Sequence, residues 1–263
     1  MAGKKLPFNP NGAILWMGPS PVDGKPVVAI VTGLTSGSDN RKTGSMVQTW
    51  IIRADVCPTV AIKSGEDVSI CDQCPHRGRN VVGKRGRVRR VRTCYVNVGQ
   101  APRQVFECFR NGRYLMWGDP RLKIAPRYRG VRIGSYGDPT VVPVAVWDDL
   151  VKALSPDVQT GYSHRWRVSP EYRHLCMASA DSPQDVADAT VQGWRSFFVA
   201  PDGSDVGKGA INCPSDPTRQ GKHVSCADCG QCNGSGGKFT RNIYIRPHGP
   251  AKAFVTLPVL ATA

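Results

Sequence analysis

Twice between Val131 and Val199 the sequence passes from a short apolar strand pattern through a helical pattern to a second strand pattern. That rhythm sharply limits the folds open to the chain. V-R-I-G-S-Y is followed by Val144, Trp147, Leu150, Val151 and Leu154 at helical spacing, and then by V-Q-T-G-Y-S. H-L-C-M-A-S is followed by D-S-P-Q-D-V-A-D-A-T-V-Q-G and W-R-S-F-F-V. In that second helix Ser182 suits the cap, Pro183 the first position, Asp185 the positive end and Gly193 the stop. Strands separated by helices pair in parallel, so the expected fold is α/β, either a partial (β/α) barrel or an open parallel sheet.

Upstream, Val27–Thr32 and Met46–Ile52 read as strands on either side of a turn-rich Gly33–Gly44 loop. Ala101–Gly112 reads as a short helix, and R-N-I-Y-I-R near the C-terminus as a last strand. No solenoid repeat or long linker divides the 263 residues, so a single α/β domain over 1–263 is expected. Sites in such folds gather at the C-terminal ends of the strands. Asp138, His164 and Asp181 fall just past predicted strands and are the catalytic candidates. Turns and caps use the same residue types for ordinary structural ends.

The chain carries ten cysteines, yet its length suffices to bury a core without staples. The N-terminal apolar residues are too few for a signal segment, and no apolar run approaches the length of a membrane span. The expectation is a soluble, cytoplasmic protein with no membrane partner. In a reducing cytoplasm, clustered thiols indicate metal or redox chemistry rather than disulfides.

One cluster occupies residues 210–234: Cys213, then Cys226, Cys229 and Cys232 in C-A-D-C-G-Q-C, with Gly230 and Gly234 letting the backbone fold around a centre. Three thiols at intervals of three with a distant fourth resemble ferredoxin spacing more than paired zinc knuckles. A [4Fe–4S] cluster is therefore favoured, with zinc as the alternative. The other group occupies residues 57–94: Cys71 and Cys74 in C-D-Q-C-P-H, Cys94 in R-T-C-Y-V-N, and Cys57 upstream. Cys57 could complete a four-thiol site, His76 could replace it, or three cysteines could hold a cluster with one iron open. Cys108 and Cys176 sit in apolar patterns and read as core thiols.

The formal net charge is +15, which favours polyanionic partners, nucleic acid first. Lys84, Arg85, Arg87, Arg89, Arg90 and Arg92 form a basic run around Gly83 and Gly86 that fits a protruding hairpin and a phosphate-contacting surface. No aromatic residue interleaves it, which argues against base stacking there. The chain has no P-loop, no G-x-S-x-G elbow and no H-E-x-x-H.

Taken in order, C-D-Q-C-P-H-R-G, C-Y-V-N-V-G-Q-A-P, R-I-G-S-Y-G-D-P, T-G-Y-S-H-R-W, L-C-M-A-S, C-P and C-A-D-C-G-Q-C resemble a group of phage-encoded proteins, the "gene product eighty-eight" proteins. More remotely they are similar to radical S-adenosylmethionine enzymes. The resemblance spans about Gly33 to Gly249 and implies a partial (β/α) barrel with an iron–sulfur cluster at its mouth and a second cysteine site near the C-terminus. It implies a host cell that is phage-infected or carries a prophage. S-adenosylmethionine then becomes a candidate cofactor, while the basicity of the chain points to a nucleic acid or nucleotide as substrate. This chain departs from the compact C-x3-C-x2-C loop of those enzymes, because the basic run separates Cys94 from Cys74. The contrasting expectation is a non-catalytic, zinc-stabilised accessory protein that binds nucleic acid through the hairpin.

Overall fold

The structure, a computed structural model, describes residues 7–37, 40, 42–82, 86–124, 130–221 and 223–248. The chain opens with β1 (Gly12–Pro19), β2 (Pro26–Thr32) and β3 (Met46–Arg53), followed by α1 (Pro58–Ser64) and α2 (Val68–Cys71). A hairpin of β4 (Arg79–Val82) and β5 (Val88–Val91) leads to α3 (Ala101–Arg110) and the short β6 (Leu115–Met116). Then come β7 (Gly130–Tyr136), α4 (Val144–Leu154), β8 (Val158–Ser163), β9 (Met177–Ala180), α5 (Pro183–Val191) and β10 (Ser196–Val199). The last elements are β11 (Ile211–Asn212), α6 (Cys226–Cys229) and β12 (Ile243–Ile245).

The local chemistry explains these elements. α4 covers the predicted span and buries Trp147 and Leu150, and the Trp147 indole donates to the Pro139 carbonyl at 2.9 Å. At α5 the Ser182 hydroxyl accepts from the Asp185 N–H, Pro183 occupies the first turn, and Gly193 follows at φ 74°. The strand expected over H-L-C-M-A-S begins later, at Met177, because Pro170–His174 winds into a 3-10 turn. Cys176 is buried, as expected of a core thiol, and its sulfur would lie 2.7 Å from a Cβ added at Gly161. The chain therefore needs glycine at that strand crossing.

Ten strands form one sheet in the order β11-β12-β10-β9-β8-β7-β3-β2-β1-β6. From β3 through β7, β8, β9, β10, β12 and β11 the pairing is parallel, while β1 and β2 join as an antiparallel wing. The α/β class with a mostly parallel sheet is thus as predicted, and strands from both halves of the chain share it.

The two faces differ. Val131 and Ile133 of β7 pack in the same core as Trp147 and Leu150 of α4, and Ala180 and Phe198 pack with Val186 of α5. The intervening residues point to the other face, because side chains alternate along a strand. That other face carries no layer of long helices; it lines a cavity. Among the described residues, no helix is long and apolar enough to cross a membrane.

Candidate functional site

Six parallel strands deliver alternate residues to one cavity of about 550 Å³. β3 supplies Gln48 and Trp50; β7 supplies Arg132, Gly134 and Tyr136; β8 supplies Thr160 and Tyr162. Ser179, Phe197, Val199, Ile243 and Ile245 continue the pattern around the sheet. The volume suits a small molecule. Seven of the ten cysteines line this same space: Cys71, Cys74 and Cys94 from the early group, and Cys213, Cys226, Cys229 and Cys232 from the late one.

The basic insertion does not prevent Cys94 from joining Cys71 and Cys74. The His76 carbonyl accepts from the Thr93 N–H at 3.1 Å and from the Cys94 N–H at 3.0 Å. These bonds close the base of the β4–β5 hairpin and return the chain to its starting point. Cys71 and Cys74 are tied by the Cys74 N–H to Cys71 carbonyl bond at 3.0 Å. Burial, then the neighbouring Cys74, pushes the Cys71 thiol well above its usual pKa, and burial raises Cys94 as well. Dry, mutually opposed thiols of this kind ionise only with a cation to hold.

Cys57 stands apart. It precedes the first turn of α1, its sulfur lies 3.2 Å from the Thr59 hydroxyl, and it does not line the cavity. The structure therefore does not place Cys57 among the cavity-lining thiols, whereas His76, the alternative ligand, lines the cavity.

The late group is assembled by one buried arginine. Arg195, at the foot of β10, donates through Nη1 to Asn233 Oδ1 and the Gly234 carbonyl, through Nη2 to the Gln231 and Arg241 carbonyls, and through Nε to Arg241 again. Ser225 caps α6, and the Cys226 and Ala227 N–H groups donate to the Lys42 and Thr43 carbonyls. Gly230 takes φ 64°, where a Cβ would meet Val158 Cγ1 at 2.3 Å. Burial pushes Cys213 up to about 11 and Cys232 up to about 12; the Tyr162 hydroxyl bonded to Cys232 offsets part of the latter.

Among the described residues, ligand atoms of three side chains lie mutually within 4.8 Å at one place only: His76, His164 and Asp181. Asp181 Oδ1 is 2.9 Å from His76 Nε2, and Oδ2 is 3.2 Å from His164 Nε2. His76 Nδ1 contacts the Thr93 hydroxyl at 3.0 Å, which fixes its ring. Although burial raises a carboxyl, His164 and His76 hold Asp181 below the usual carboxylate range. Burial alone would lower His164; Cys74 and Asp181 outweigh it and hold the imidazole well above its ordinary pKa. Two of the three predicted catalytic residues are thus joined in one constellation. His76 had been read only as a substitute ligand.

Asp138 also lines the cavity, and both its oxygens already accept hydrogen bonds. Oδ1 accepts from the Thr140 N–H, the Thr140 hydroxyl and the Ser163 hydroxyl, and Oδ2 accepts from the His164 N–H. Its own N–H donates to the Ile70 carbonyl at 2.7 Å. The arrangement lets Asp138 position Thr140, Ser163 and the His164 backbone.

The basic run divides. Its hairpin form is as predicted, with Val88 paired to Val82. Yet Arg90 Nε donates to the Ile62 carbonyl at 2.8 Å and its guanidinium lies 3.7 Å from buried Asp67. Arg92 donates to the Val96 and Cys94 carbonyls. Both arginines thus fasten the hairpin to the body. Arg87 is exposed. Lys84, Arg85 and the Arg89 side chain lie outside the described residues.

Three further residues of the cavity escaped sequence reasoning: Lys42, Arg132 and Tyr136. The period-two pattern R-I-G-S-Y in β7 was the available signal for the last two. Compared with family models, curated proteins and solved structures, the chain matches none.

Proposed function

We propose that the chain is an iron–sulfur protein of enzymatic type, in which two thiol groups each hold a cluster beside one substrate cavity. The observation that carries the reading is the convergence of seven cysteines, from segments far apart in sequence, on one cavity lined by the open face of the parallel sheet.

The C-x2-C-x2-C run with a distant fourth thiol supports clusters over single ions, by its likeness to ferredoxin spacing. Cys71, Cys74 and Cys94 would hold a cluster with one iron left open toward the cavity. When bound, such a centre supplies one-electron reduction to a cofactor of the S-adenosylmethionine kind. Cys213, Cys226, Cys229 and Cys232 would close around a second cluster with no open position.

The chain's own side chains do the remaining work. His164 and Asp181 can hold and pass a proton at the wall of the cavity, with His76 and Thr93 fixing the orientation of the carboxylate. Trp50, Tyr162, Phe197 and Ile243 form an apolar wall that excludes water from a bound molecule.

The test is the iron, zinc and acid-labile sulfide content, with a visible spectrum, of protein purified without oxygen. Two clusters correspond to about eight irons and matching sulfide. About two zincs and no sulfide would reject the reading and leave a structural protein with closed thiolate sites.

A further inference from the structure

Two cations in the cavity have no anion to hold. Arg132 points from the middle of β7 into the space, and its Nε is enclosed without a hydrogen-bond partner. Lys42 stands exposed at the mouth, with Nζ 3.0 Å from His248 Nε2 and 5.6 Å from the centre of the Tyr95 ring. Among the described residues neither forms an ion pair with a carboxylate. The two carboxylates that line the cavity are committed elsewhere: Asp138 to four donors, Asp181 to two imidazoles.

An enclosed guanidinium nitrogen with no acceptor is costly to keep, because it has lost water and gained nothing in return. The adjoining surface suits a flat or apolar body: Trp50, Tyr95 and Phe197 line the same cavity, and the Trp50 indole is held by the Thr32 hydroxyl at 2.8 Å. Nearby, the Gln231 side-chain amide oxygen Oε1 is also enclosed without a partner and could accept from an amide or amine of the same molecule.

We infer that the cavity binds a small molecule with a flat or apolar body and an oxyanion, a phosphate or a carboxylate, and that Arg132 and Lys42 grip the oxyanion. The inference deepens the enzymatic reading by naming a substrate class. The competing role for these cations is to neutralise the thiolates, since Cys226 lies within the electrostatic reach of both.

Calorimetric titration of the full chain separates the two roles. AMP is compared with adenosine for the phosphate, and N-acetylphenylalanine with its amide for the carboxylate, while iron and sulfide are measured on the same preparations. The expected result is that one anion binds at least tenfold more tightly than its uncharged counterpart. Arg132→Gln and Lys42→Gln should each erase most of that difference with metal content unchanged. Preference for AMP would identify a nucleotide phosphate, and preference for N-acetylphenylalanine an amino-acid or peptide carboxylate. Equal affinity for charged and uncharged probes, no binding of either anion, or loss of iron in the variants in place of loss of anion affinity would overturn the inference. If the wild-type chain holds no iron yet discriminates the anion through these two residues, the cluster reading fails and this one stands.

Discussion

The buried carboxylate of Asp138 accepts the backbone N–H of His164 at 2.9 Å, so the end of β7 fixes where the end of β8 turns. The same carboxylate holds Ser163 and Thr140, and the Asp138 backbone holds Ile70 in the segment that carries Cys71. One residue therefore links the early thiols to the imidazole, through its backbone on one side and its side chain on the other. Replacing Asp138 with Ala strands several buried donors and should lower unfolding stability by about 2–4 kcal/mol. Urea denaturation of the full chain measures it, and a loss under 1 kcal/mol would remove the positioning role.

Cys57→Ala should retain the full metal content of the wild type, because its sulfur does not reach the cavity. Cys74→Ala should lose the early centre alone and keep about half of the iron, the share of one of two like clusters. Metal analysis of the two variants side by side decides this. An iron loss in Cys57→Ala equal to that in Cys74→Ala would restore Cys57 as a ligand.

Arg195 makes five hydrogen bonds to the loop that follows the late cysteines, and it is almost fully buried. Lysine offers a point charge where this loop needs a planar fork. Arg195→Lys should destabilise the chain by about 2–4 kcal/mol and reduce metal retention at the late thiols while sparing the early ones. Thermal melting together with metal analysis tests both halves of this expectation.

Arg90→Ala should cost about 1–3 kcal/mol, since it removes a charged hydrogen bond to Ile62 and a partner of the buried Asp67 carboxylate. Arg87→Ala, on the exposed part of the same hairpin, should change stability by less than about 0.5 kcal/mol. Equal losses in the two variants would contradict the division of the basic run.

What the sequence revealed follows its periodicities. α4 was legible because Val144, Trp147, Leu150, Val151 and Leu154 repeat at helical spacing, and α5 because Ser182 and Pro183 mark its start. β1 was not, because its apolar run, Ala13–Met17, is short, does not alternate and is closed off by Gly12, Gly18 and Pro19; its pairing to β2 supplies the order that local propensity lacks. The cysteine groups were legible as groups, yet their meeting at one cavity depends on the register of strands more than a hundred residues apart. The link between His76 and Asp181 is of the same long-range kind. The arginines misled for a physical reason. A guanidinium on a hairpin reads as surface charge from composition alone, and only the acceptors of Ile62, Val96 and Asp67 show that Arg90 and Arg92 turn inward.

The two N–H bonds that the His76 carbonyl accepts have a practical consequence. They make the β4–β5 excursion a detachable module, whose length is independent of the sulfur positions beneath it. Cys74 and Cys94 therefore keep their separation whatever the sequence between them carries beyond that closure.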